Sequence, residues 1–137
     1  MSQEQICLPR SLINRLLQDA QSSPHSEICG MIGGKNGSPR SYYPIKNISS
    51  LPERRFDLDP AEQIETMRSM RACGEELFAI FHSHPTAPAE PSEYDIEQAA
   101  YPEAIYLIVS LNTKGVLELR GFRIDSEGAM SEVCILL

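Results

Sequence analysis

From residue 9 to residue 20, apolar Leu12, Ile13, Leu16 and Leu17 recur at the spacing of one helix face, and Pro9 suits a first helical turn, where its missing N–H costs nothing. The polar stretch Gln21-Ser-Ser-Pro24 ends that helix. Glu27-Ile-Cys-Gly-Met-Ile-Gly-Gly34 is a short apolar run closed by glycines, the pattern of a buried strand. The turn residues Lys35-Asn36-Gly37 then lead to a second strand, expected over residues 41–48. Asp59-Pro60 supplies an N-cap and a first-turn proline for a second helix, with Ile64, Met67 and Met70 or Arg71 on its inner face up to Gly74. Leu77-Phe-Ala-Ile-Phe81 predicts a third strand running into His82-Ser-His84-Pro85, where the proline ends ladder pairing. After a proline-rich loop, Ser92-Glu-Tyr-Asp95 opens a third helix through Ala100, and strands are expected over residues 104–111, 116–124 and 129–136. The element order is mixed α and β. No repeat or low-complexity tract interrupts it, which places the chemistry in single residues.

Composition narrows the reading. At roughly 100–200 residues per domain, 137 residues with 42% hydrophobic and 23% charged content are expected to form one domain over 1–137, with a core of its own. Nineteen acidic against 12 basic side chains give a net charge of −7, so no general field attracts phosphate backbones or anionic lipid. Neither nucleic acid nor a membrane is expected as a partner. The longest apolar stretch, residues 104–109, is far short of the ~20 residues that cross a bilayer, and the first residues lack the cationic start and apolar run of a signal peptide. Cys7, Cys29, Cys73 and Cys134 form no C-x-x-C pair and are expected as small buried hydrophobes in a reducing compartment. A soluble cytoplasmic protein is the expectation.

The chain holds three histidines, and His82 and His84 sit two apart at the end of a predicted strand, where i and i+2 side chains share a face. Both imidazoles can therefore converge on one ion. Asp95, in the first turn of the third helix, follows after enough chain to fold back and add an oxygen ligand, leaving a fourth tetrahedral position for water. Each piece alone has a plainer reading. A His-x-His pair can simply face solvent, Ser92-x-x-Asp95 can be only a capping box, and Glu27 can be an exposed strand-end carboxylate. His25 reads as a surface residue and Cys29 as packing.

Taken together, Glu27, then His82-Ser-His84-Pro85, six residues, Ser92, two residues and Asp95 resemble the signature of the JAMM (MPN-plus) zinc isopeptidases. Glu27-Ile-Cys-Gly is similar to that family's Glu-x-Cys-Gly strand, and Pro91-Ser-Glu-Tyr-Asp95 to its Pro-Ser-x-x-Asp helix entry. The likeness in element order runs over residues 8–124 and is nearest to the small bacterial stand-alone members. It implies a deaminase-like α/β fold, a mixed β-sheet flanked by helices, with zinc held by His82, His84, Asp95 and a water. It also implies Glu27 as general base and then general acid on that water, and Ser92 as a hydrogen-bond donor to the oxyanion, in competition with its capping role. The implied substrate is an amide or isopeptide bond at the C-terminal tail of a ubiquitin-like or sulfur-carrier protein ending in Gly-Gly, the tail adding as a strand at a sheet edge. The chemistry is consistent, because zinc brings the pKa of a bound water toward about 7, within reach of a carboxylate base.

Three rivals remain. A zinc nucleoside deaminase would need the His-x-Glu and Pro-Cys-x-x-Cys ligands, which are absent. A non-catalytic MPN-type interaction scaffold generally lacks ligands that are intact here. A zinc amidase acting on a small peptide is not separated from a carrier-protein peptidase by the motif. The short segment between Asp95 and Ala104 leaves no room for the insertions of larger deubiquitinases, which argues against linkage-specific polyubiquitin cleavage.

Overall fold

The computed structural model describes residues 3–112 and 117–136. In chain order these form β1 (Gln5–Cys7), α1 (Arg10–Ser22), β2 (Cys29–Lys35), β3 (Ser38–Ile45), α2 (Pro60–Ala72), β4 (Glu76–His84), α3 (Glu93–Gln98), β5 (Ile105–Ser110), β6 (Glu118–Ile124) and β7 (Met130–Leu136). The strands make one seven-stranded sheet in the order β1-β7-β6-β5-β4-β2-β3. The β1–β7 and β4–β5 pairs are parallel and the remaining pairs antiparallel, so this is the expected mixed sheet. A parallel pair needs a crossover, and the β4–β5 crossover is the segment that carries α3.

Side-chain alternation along the central strands divides the core into two layers. Ala79, Phe81, Ile105, Leu107 and Val109 pack with Leu12, Ile13, Leu16 and Ala20 of α1 on one face. Ile80 and Tyr106 pack with Met31, Ile45, Met70 and Ile124 on the other, beneath α2. Continuing the period of two from Ile80 puts His82 and His84 on the α2 face, and both are fully buried. β4 and β5 are covered on both sides, which is why their sequences read as unbroken apolar runs.

Several expected boundaries move for identifiable reasons. β4 runs through both histidines and stops at Pro85, because its parallel pairing with β5 continues to His84 opposite Ser110. Asn36 and Gly37, at φ 54° and 77°, close a two-residue turn, so β3 begins at Ser38 rather than at 41 and ends at Ile45. β1 was not expected; three residues are too few to show a period, and it is stabilised by β7, far along the chain. Helix α3 ends at Gln98, two residues early. β6 begins at Glu118, and Val116, expected to open it, lies outside the described residues. On α2 the inner face is rotated from the expectation: Thr66 and Met70 are buried, Met67 packs partly, and Ile64 is 61% exposed. The cysteines also differ from expectation. Cys29 alone is buried, Cys134 is half-buried, and Cys7 and Cys73 are exposed.

The β2–β3 pair is closely packed at Gly30, where an added Cβ would lie 2.7 Å from the Tyr43 carbonyl oxygen and 2.7 Å from Tyr42 Cε1. Backbone cannot swing aside as a side chain can. Gly30→Ala is therefore expected to destabilise by about 1–3 kcal/mol, read as a lower denaturation midpoint at unchanged slope.

Candidate metal centre

The end of β4 delivers the two imidazoles. His82 Nε2 and His84 Nε2 lie 3.1 Å apart, and Asp95 Oδ2 lies 3.0 Å from the first and 3.2 Å from the second. Asp95 reaches this point from α3, whose entry is a reciprocal capping box. Asp95 N–H donates to Ser92 Oγ at 3.0 Å, and Ser92 N–H donates to Asp95 Oδ2 at 2.9 Å. The cap thus fixes the carboxylate that the helix presents to the histidines. His84 Nδ1–H donates to the Pro88 carbonyl at 2.7 Å, which leaves Nε2 free to present a lone pair.

A triangle with sides of 3.0–3.2 Å has too few protons to make every edge a hydrogen bond. It matches the ligand spacing of a tetrahedral ion, since bonds of about 2.0–2.1 Å set donors roughly 3.3 Å apart. Glu27 stands just outside, its Oε2 at 3.9 Å from His84 Nε2, while its Oε1 is buried without a partner. All four side chains are buried, and one ligand atom from each lies within 4.8 Å of every other. Two imidazole nitrogens and carboxylate oxygens suit a divalent transition metal.

Glu27 precedes β2, yet it is placed by β2's register. Cys29 pairs with His82, and Ser83 N–H donates to the Ile28 carbonyl at 3.0 Å, so Glu27 falls across from His84. The segment between β3 and α2 then fastens its backbone. Glu27 N–H donates to the Pro52 carbonyl at 2.7 Å, and Asn47 Nδ2 donates to the Glu27 carbonyl at 3.0 Å. Asn47 also donates to the Arg55 carbonyl and accepts from the Ser49 and Asp57 N–H groups. The loop it organises brings Phe56 flat against His82, ring centroids 4.3 Å apart at 24°. Beside Asp95 a cleft of about 230 Å³ opens, with Phe56, Leu58, Gln63, Gln98, Tyr101 and Tyr106 among its walls.

Burial dominates the acid–base properties of this cluster. It pushes the Glu27 carboxyl up from its ordinary 4.5 to about 8, with the His84 charge opposing and Asp95 adding. Asp95 is buried too, but His82, His84 and the Ser92 N–H hold it well below the usual carboxylate range. Burial keeps His82 neutral against the pull of Asp95. His84 is also disfavoured by burial, yet hydrogen bonds to Asp95 and the Pro88 carbonyl, with Glu27 nearby, raise it. A cation entering here competes with protons for the His84 Nε2 lone pair, so uptake weakens on acidification.

The residues expected from sequence are therefore brought together: Glu27, His82, His84 and Asp95 share one buried point, and Ser92 adjoins it through Asp95. His25 is exposed, and Cys29 donates its thiol to the Ile45 carbonyl, its pKa pushed up to about 12 chiefly by burial. Asn47, Phe56 and Ser110 were not singled out. None of the three carries a local signal of such a role; Asn47 falls inside the strand expected over residues 41–48, and nothing in the sequence linked it to Glu27.

A buried two-histidine, two-carboxylate group at the edge of a cleft, on a mixed sheet between helices, defines a metallohydrolase class of site. The chain belongs to the family described as prokaryotic homologs of the JAB domain, whose model matches residues 9–124. It is 34% identical over 123 residues to the CysO-cysteine peptidase of Mycobacterium tuberculosis, covering 88% of this chain and 83% of that one. It is 28% identical over 102 residues to the desampylase of Haloferax volcanii, covering 73% of each. The solution structure of protein DSY2949 from Desulfitobacterium hafniense superimposes with a TM-score of 0.84 at 33% identity, over 96% of this chain and 92% of that one.

The Glu27 shift makes a prediction for the metal-free protein. Folded Glu27 keeps its proton up to about pH 8 while the unfolded chain loses it near 4.5, so the folded state holds more protons between those values. Its contribution to stability is complete below that window and is lost as pH rises through it. Denaturant midpoints across the window in chelator should therefore fall more steeply with pH for the wild type than for Glu27→Gln.

Proposed function

We propose that this chain is a zinc-dependent peptidase that hydrolyses an amide or isopeptide bond at the C-terminal tail of a ubiquitin-like or sulfur-carrier protein. The carrying observation is the triangle of His82 Nε2, His84 Nε2 and Asp95 Oδ2 with the unpartnered Glu27 carboxylate beside it. His82, His84 and Asp95 would hold the zinc. When bound, the ion supplies Lewis acidity, bringing the pKa of a water to about 7 and polarising the substrate carbonyl. Glu27 takes the proton of the attacking water and returns it to the leaving amine; burial alone favours its protonated form, and a cation held beside it would favour the carboxylate that the first of these steps needs. Phe56 stacks on His82, and the Asn47-centred loop holds the Glu27 backbone in place.

Ser92 donates a hydrogen bond to the oxyanion that forms on the substrate. Its capping bond uses only an oxygen lone pair, which leaves the O–H free for this purpose, so the two roles do not exclude each other. The names of the relatives, a CysO-cysteine peptidase and a desampylase, support a carrier-protein conjugate as substrate. A Gly-Gly end, free of side chains, is the form of tail assigned to this cleft. We read residues 1–137 as one catalytic domain that works in the cytoplasm on a protein partner rather than on nucleic acid or a membrane, in keeping with its net charge of −7.

Elemental analysis of the purified protein tests the metal, and cleavage of Gly-Gly-tailed carrier fusions with and without chelator tests the reaction. The expected result is about one zinc per chain in the wild type and none in His84→Ala. Glu27→Gln should keep zinc and lose about 10²–10⁴ in rate. Ser92→Ala should lose roughly 10²–10³ in turnover with little change in metal content. No metal after zinc is added back would overturn the peptidase reading in favour of an interaction scaffold, and a metal-replete protein cleaving only short peptides would make it a small-peptide amidase.

A further inference from the structure

Ser110 is a buried hydroxyl at the end of a strand otherwise made of Ile, Tyr, Leu, Ile and Val, and the catalytic scheme above makes no use of it. It lies beside His84 in the β4–β5 register. Its O–H donates to the Ala87 carbonyl at 2.7 Å, and its oxygen accepts from the Asn112 N–H at 3.1 Å. Ala87 immediately precedes Pro88, whose carbonyl receives the His84 Nδ1–H. The loop carrying both carbonyls contains Pro85, Pro88 and Pro91, which have no N–H with which to fasten themselves. On its far side Ala89 packs against Ile108 and Phe122, and on its near side the Ser110 hydroxyl ties it to β5.

We propose that Ser110 is a positioning residue for the metal centre: by holding the 87–88 peptide it keeps the Pro88 carbonyl on His84 Nδ1 and so fixes the tautomer whose Nε2 lone pair faces Asp95 and His82. The inference rests on the reading of His84 as a ligand. Its physical content is that an imidazole rotates easily about its side-chain bonds, and that the partner of its second nitrogen decides both which nitrogen carries the proton and where the ring points. A carbonyl on a proline-rich loop is a weak anchor unless the loop is itself anchored. Ser110 supplies one such anchor from the sheet, beside the Glu90 N–H that also donates to the Pro88 carbonyl at 2.8 Å and the Arg120–Glu90 ion pair at 3.3 Å.

The test uses the full chain and two readouts. Imidazole ¹⁵N shifts in the metal-free protein at alkaline pH report the His84 tautomer, and zinc competition against a chromophoric chelator reports affinity. Wild type and Ser110→Thr, which keeps the hydroxyl, should show His84 protonated at Nδ1. Ser110→Ala should move the population toward Nε2–H and weaken zinc binding about 10–100-fold. Val109→Ala, which thins the opposite face of the same strand without touching the loop, is the control for general loosening. If Ser110→Ala does not fold, Ser110→Cys keeps the volume with a weaker donor and is read on the same scales. A wild-type tautomer and affinity in Ser110→Ala, or a loss no larger than in Val109→Ala, would overturn the proposal. A wild type that binds no zinc while its His84 tautomer still depends on Ser110 would sink the metal reading and leave the positioning role standing.

Discussion

Two imidazoles and two carboxylates held out of water within 4.8 Å of one another are the constraint around which this molecule is organised. Removing charged groups from water is costly unless each finds a counter-charge or a hydrogen bond in its place. The structure meets that cost by dividing the labour. Asp95 accepts from the Ser92 N–H, His84 donates to the Pro88 carbonyl, and in the metal-free site burial favours the protonated form of Glu27. What is not satisfied is informative: one oxygen of Glu27 and one nitrogen of His82 have no partner among the described residues. A fold built only for stability would place apolar side chains there, as it does at Ile80 and Phe81 one turn of the pleat away.

Much of the site was legible because its chemistry coincides with local geometry. The i, i+2 spacing of His82 and His84 on a strand fixes a shared face whatever the rest of the chain does, and the capping box at Ser92 and Asp95 fixes the entry of α3. Glu27 was legible only through its family resemblance, since its approach to His84 depends on the β2–β4 register across 55 residues of sequence. The helix faces were less secure. Ile64 had the right period for the α2 core, yet Gln63 takes the inward position and bonds the Tyr101 hydroxyl, a pairing between distant residues that no local period reveals. β1 was illegible for the same reason, being a strand only because β7 stands beside it.

The residues that support the centre share a feature. Phe56 stacks on the ring of His82, Asn47 bonds the Glu27 backbone and Ser110 bonds the Ala87 carbonyl, and since none of them brings chemistry of its own, nothing in their identity announces a role. Ser92 is the intermediate case, a cap by local pattern and a neighbour of the metal site by position. Its two functions are compatible because a hydroxyl can accept and donate at once.

Strand β2 has a register shift against β4 between Ile32 and Gly33, and one against β3 between Gly33 and Gly34, both on the side of the hairpin tip. These irregularities act as a mechanical fuse. A residue gained or lost in the tip around Asn36 is absorbed at the glycines before it reaches Cys29, whereas a residue gained between Glu27 and Cys29 would turn the carboxylate to the opposite face of the sheet. The two ends of the strand therefore differ in how they tolerate a change of length: the glycine end can take one up, and the end at Glu27 is held to one register by its pairing with β4.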